Sequence, residues 1–64
     1  MSWIAHESES NRILSIRSFS DHELSQAVEE CRIRLRQYPD RHYDIGYFDD
    51  DECRPKGYVI TILR

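Results

Sequence analysis

Glycine and cysteine are scarce in this chain, and basic charge is outnumbered by acidic. Its two glycines, Gly46 and Gly57, stand apart among 64 residues, so there is no glycine-rich loop to cradle a phosphate. Cys31, Cys53, His6, His22 and His42 are donor types that zinc accepts. None is spaced as C-x-x-C or H-x-x-x-H, so no chelating pair exists and neither a metal nor a cofactor is expected. Lys and Arg number 9 against 12 Asp and Glu, for a net charge of −3. A non-specific nucleic-acid binder normally carries a strongly basic face. No apolar run approaches the roughly 20 residues of a membrane helix. Met1 to Glu7 lacks the basic-then-apolar pattern of a secretory signal. The expectation is a cytoplasmic protein with no membrane partner, whose cysteines are thiols rather than a bridge.

What remains is a short, charged chain whose apolar residues fall into patterned clusters. A third of the residues are charged, yet Ile, Leu, Val, Tyr and Phe recur at structural spacings, as in a folded domain. Sixty-four residues make one domain (1–64), with room for one helix on one small sheet.

The helix announces its own start. Ser20 followed three residues later by Glu23 is a capping box, and Phe19 with Leu24 sits where a hydrophobic staple forms. Leu24, Ala27, Val28, Cys31, Leu35 and Tyr38 recur at three- and four-residue spacings and predict one buried stripe. Pro39 ends the helix, because helical geometry is disfavoured at the residue before it. Acidic residues lead and Arg32, Arg34 and Arg36 close, which suits the helix dipole. Glu30 and Arg34 are spaced as an i,i+4 pair.

Strands are expected on either side. Trp3 to His6 reads as a short strand, Glu7 to Asn11 as a polar turn, and Arg12 to Ser18 as the second arm of a hairpin. In that arm Leu14 and Ile16 share one face and Arg17 takes the other. His42 to Phe48 is a third strand with Tyr43, Ile45 and Tyr47 on one face and Gly46 as a bulge. Asp49 to Gly57 reads as a polar loop. Tyr58 to Leu63 has the strongest strand propensity and is apolar on both faces, which predicts a central or doubly covered strand. The fold class is therefore α+β: an antiparallel sheet of three or four strands, in β-β-α-β-β order, with one amphipathic helix on one face.

Little of this supports chemistry. The run Asp49-Asp50-Asp51-Glu52 lacks the 12-residue ligand spacing and central glycine of a calcium loop, and reads better as a solvated tip or a lure for a basic partner. Cys53 with His42 or His6 would need an orienting group and oxyanion donors that the sequence does not supply. Tyr43 and Tyr47 share their face with Ile45, as core residues do, rather than forming a base-stacking platform.

Some residues fit a contact with another protein. Ile33 lies about 180° around the helix from Leu24, so it points away from the core, between charged residues. Trp and Tyr are favoured at interface centres. Trp3, Ile33, Arg36 and the stretch Asp49, Asp50, Asp51 and Glu52 are the candidate partner-binding residues. The expected function is a small non-enzymatic interaction protein, of the bacterial or bacteriophage accessory type, that binds and modulates, chiefly inhibits, a larger protein. The alternative is a nucleic-acid-binding regulator using Arg32, Arg34, Arg36 and Arg41, with a homodimer joining two basic patches.

Overall fold

The computed structural model describes residues 1–49 and 54–63. It contains strand β1 (Ser2–Glu9), strand β2 (Arg12–Ser20), a 3₁₀ turn (Asp21–Glu23), helix α1 (Leu24–Gln37), strand β3 (His42–Asp49) and strand β4 (Arg54–Ile62). The strands form one antiparallel sheet in the order β2-β1-β3-β4. The α+β class and the β-β-α-β-β sequence order are those expected.

The first hairpin is tighter than the polar run suggested. Glu9 pairs with Arg12, so only Ser10 and Asn11 turn the chain. Both have positive φ, 51° and 65°, the geometry of a type I′ turn, whose twist matches that of the flanking strands. Asn tolerates this region; Ser does so less readily. The double change Ser10→Asn with Asn11→Gly is therefore expected to stabilise the domain by about 1 kcal/mol. Thermal melting should rise by roughly 4–8 °C.

The helix starts where expected, but its first turn is 3₁₀. The capping box closes over Ser20 and Glu23, with the Glu23 carboxylate accepting from the Ser20 N–H at 2.9 Å and from the Ser20 hydroxyl at 2.5 Å. Ala27, Cys31 and Leu35 are buried, and Leu24 and Val28 pack against the same core. Ala5, Phe19, Tyr43 and Ile45 complete it from the sheet. Tyr38 departs from the stripe and is 41% exposed. The helix has ended there, and its ring carries two arginines instead of joining the core.

Two strand assignments change. Arg54 to Gly57, expected in a loop, belong to β4. Far from being central or covered on both sides, β4 is an edge strand, and Val59 is 65% exposed. Its two apolar faces have different causes: Ile60 and Ile62 pack under the helix, whereas Val59 points to the side that the helix leaves bare. Gly46 does mark an irregularity, since the β3–β4 register shifts between Gly46 and Phe48. In β2 the register shifts opposite Glu7 and Ser8, and Leu14 has no partner in the ladder. Ile13, rather than Leu14, shares the face of Ile16.

Candidate functional site

Alternation along the strands divides the sheet into two unlike faces. The helix side holds Trp3, Ala5 and Glu7 from β1, Phe19, Arg17 and Ser15 from β2, Tyr43, Ile45 and Tyr47 from β3, and Ile60 and Ile62 from β4. No element of the described chain covers the other side.

That outer face is ordered in rows across the strands. One row runs Ile16, His6, Asp44, Thr61; the next runs Ser18, Ile4, Gly46, Val59; a third holds Ile13, Ser8 and His42. Phe48 leans back along its own strand over Gly46. A Cβ built on Gly46 would lie 2.9 Å from Phe48 Cε1, so the absence of a side chain there lets the ring lie against the backbone. The Phe48 ring centroid is 6.5 Å from that of His6. Ile16 is thus opposite His6 in the ladder and Phe48 lies near it, while Ile4 and Val59 flank Gly46 in the next row. Ile13 and Ile16 are exposed by 60% and 58%.

Charge avoids this face. Although a third of the chain is charged, Asp44 is the sole carboxylate among the described outer-face residues, and none of them is Lys or Arg. An apolar centre depleted in charge is the composition of a protein-interface core.

The helix side uses its polar groups internally. Glu7 is buried and saturated with donors. Arg34 Nε and Nη2 reach its two oxygens at 2.8 and 3.2 Å, Arg41 Nη1 donates at 2.6 Å, the Tyr43 hydroxyl at 3.0 Å and the Ser15 hydroxyl at 3.3 Å. Burial alone would raise this carboxyl. The hydrogen bonds from Arg34, Arg41 and Tyr43, with the Arg34 charge, outweigh it and hold the group at about 2. An ionised carboxylate with every lone pair engaged is a structural tie, not a general base. The Arg34 and Arg41 guanidiniums also lie 5.1 and 4.1 Å from the Tyr38 ring centroid, a cation–π arrangement. The expected Glu30–Arg34 helix pair does not form: Glu30 binds Arg17 of β2, and Arg34 is taken by Glu7.

Cys31 is a buried free thiol. Burial, then the nearby Glu30 and Glu7 charges, push its pKa up, so it stays protonated and unreactive. The cleft beside it, between the helix and β2, holds a cavity of only about 20 Å³, far below the ~300–1,000 Å³ of typical ligand pockets. Among the described residues no group of three His, Cys, Asp or Glu could hold a metal ion, and no helix is long and apolar enough to cross a membrane.

The residues singled out from the sequence are scattered. Trp3 lies on the helix side, stacked on Tyr47 at 4.5 Å, and its Nε1 donates to the Asp21 carbonyl at 3.1 Å. It fastens β1 to the helix start. Ile33 is 43% exposed on the outer face of the helix, with Arg36 one turn on and also exposed. Asp49 closes β3, while Asp50, Asp51, Glu52 and Cys53 lie outside the described residues. Of the four arginines of the alternative reading, Arg34 and Arg41 are engaged by Glu7, and Arg32 and Arg36 are exposed. The outer sheet face was not anticipated as a site. Its signal lay in the two-sided apolar pattern of Tyr58 to Leu63 and in Ile13 and Ile16 of β2. No protein-family model matches this chain, and no similar curated protein or solved structure was found.

Proposed function

We propose that this chain is a small non-enzymatic interaction protein that binds a larger protein through the outer face of its sheet and modulates it, in the simplest case by inhibition. A cytoplasmic accessory protein of bacterial or bacteriophage type is the biological setting that this size and composition fit. One observation carries the proposal: Ile4, Ile16, Phe48 and Val59 lie on a face whose described residues carry one carboxylate, Asp44, and no Lys or Arg, in a chain otherwise rich in charge. Domains rarely leave such a patch bare unless another molecule covers it. The groups that would serve catalysis support the same reading, since Glu7 is saturated and Cys31 is held as a thiol. The arginine-based alternative loses support, because Glu7 engages Arg34 and Arg41, two of its four arginines.

The test is capture of a partner from lysate of the source cells by tagged wild-type protein and by the double variant Ile16→Asp with Val59→Asp. Both positions are exposed, so the fold is expected to survive, as circular dichroism would verify. Stoichiometric capture by the wild type and at least about a tenfold loss in the double variant are expected, because a charge at an interface centre is desolvated without compensation. Equal capture by both would overturn the assignment of the face.

A further inference from the structure

We infer that, free of its larger partner, the chain covers this face with a second copy of itself, two sheets stacking into a sandwich with both helices outside. The inference rests on the reading of the outer face as protein-binding, and adds what occupies it when the chain is alone.

Three observations favour a second copy. The first is self-complementarity. A two-fold axis along the strands, between β1 and β3, lays β1 of one copy over β3 of the other. By the strand register, His6 then faces Asp44 of the second copy, and Asp44 faces its His6. The imidazole N–H is a donor for the carboxylate, so the face's one described carboxylate is answered twice by the symmetry. Ile4 meets Gly46 of the second copy and the Phe48 ring that lies over it, and Val59 meets Ser18. Each contact recurs in reverse, as an isologous interface requires. The second is area. The sheet spans four strands within Cα dimensions of 33 and 23 Å, a footprint of the order of the ~800 Å² that each partner buries in stable interfaces. The third is economy of core. Among the described residues the buried apolar set is a single layer of seven between helix and sheet. Small domains of this size commonly complete their cores by oligomerisation.

The register gives the test. Light scattering on a size-exclusion column, over a concentration series, is expected to give the wild type a mass twice the 7.7 kDa of one chain. His6→Asp sets carboxylate against carboxylate, and Asp44→Lys removes the acceptor of the imidazole N–H. His6→Asp alone is expected to weaken pairing at least about a hundredfold and elute as a monomer, because like charges placed face to face cost several kcal/mol. Asp44→Lys alone, which loses both imidazole–carboxylate bonds, is expected to weaken it at least about tenfold. Mixed in equal amounts, the two variants are expected to pair with each other, since each then meets its opposite. Circular dichroism checks that both remain folded. A wild type that is monomeric throughout, or a dimer that neither substitution disturbs, would overturn the inference. The outcome is separable from that of partner capture. A monomeric wild type whose capture is lost in the Ile16→Asp, Val59→Asp variant removes only the dimer. A dimer built on this register, with capture unaffected by that variant, removes only the partner assignment.

Discussion

Glu7→Gln is expected to destabilise this domain by about 3 kcal/mol, at the lower end of what removing one partner of a buried ion pair costs. The lower end applies because Arg34 is 41% exposed and Arg41 26%, so both guanidiniums recover some hydration when the carboxylate is lost. A 64-residue domain has roughly 3–10 kcal/mol to lose, which makes this a large fraction of the whole. The change keeps side-chain shape and removes one charge. It also leaves two guanidiniums close together on one aromatic ring, with Glu9, 3.8 Å from Arg41, as the remaining carboxylate.

The pH dependence separates this from a simple packing defect. The folded carboxyl titrates at about 2 and an ordinary one at 4.5. A group whose folded pKa is depressed contributes its stability above the unfolded value and loses it as pH falls toward the folded one. The wild type is thus expected to hold its Glu7 contribution fully above about pH 4.5 and to lose it progressively down to about pH 2. Denaturant unfolding of both proteins over that window is the measurement. Their difference should shrink as the pH falls. A difference independent of pH would show that the carboxylate charge does not bind these elements together.

The second large effect concerns which face of the sheet is core. Ile45→Ala is expected to cost about 3 kcal/mol, since a fully buried isoleucine leaves a cavity when truncated. Ile45 is wholly inaccessible, between Ala5 of β1 and Ile60 of β4. Val59→Ala, at a position 65% exposed, is expected to change the stability of one chain by less than about 0.5 kcal/mol. Urea unfolding of dilute protein, where pairing between copies is negligible, checks both. Comparable losses at the two positions would mean that the outer face is packed within the single chain.

Much of the fold was legible in the sequence because its signals are local. Ser20 and Glu23 close their box through neighbouring backbone, and the stripe from Leu24 to Leu35 follows helical period alone. Tyr43 and Ile45 lie on the buried face that alternation suggests. What escaped depends on distant partners. Alternation misplaces Ile13, which only the irregularity at Leu14 brings to the face of Ile16. It shows that Val59 and Thr61 share a face, but not whether a helix covers it. That depends on strand order, which long-range pairing decides. For the same reason, the apolar run Tyr58 to Leu63 resembles a central strand although β4 is an edge. Glu7 looked like part of a polar turn because nothing nearby in sequence reveals that Arg34, Arg41 and Tyr43 converge on it from α1, the loop after it and β3. Once Glu7 claims Arg34, Glu30 is left to Arg17. Tyr38 had helical spacing but sits one residue past the helix, where its ring serves the two guanidiniums.

The candidate site shows the same division. Ile33 was found by helical geometry and is exposed as expected, yet it stands among charged neighbours on a convex surface. The sheet face gathers residues from four strands far apart in the chain, so no local motif could announce it. Trp3 has the composition of an interface centre and the position of a fastener under the helix start.

The seven isoleucines offer the most direct test of the central claim, because they report on every surface. Ile4, Ile13 and Ile16 lie on the outer sheet face, Ile33 on the outer helix face, and Ile45, Ile60 and Ile62 under the helix. The measurement is the methyl NMR spectrum of isoleucine-labelled protein before and after saturation with the captured partner. Shifts at Ile4, Ile13 and Ile16, with Ile33 unmoved, are the expected result. A shifted Ile33 with those three unchanged would contradict the account and place the partner on the helix.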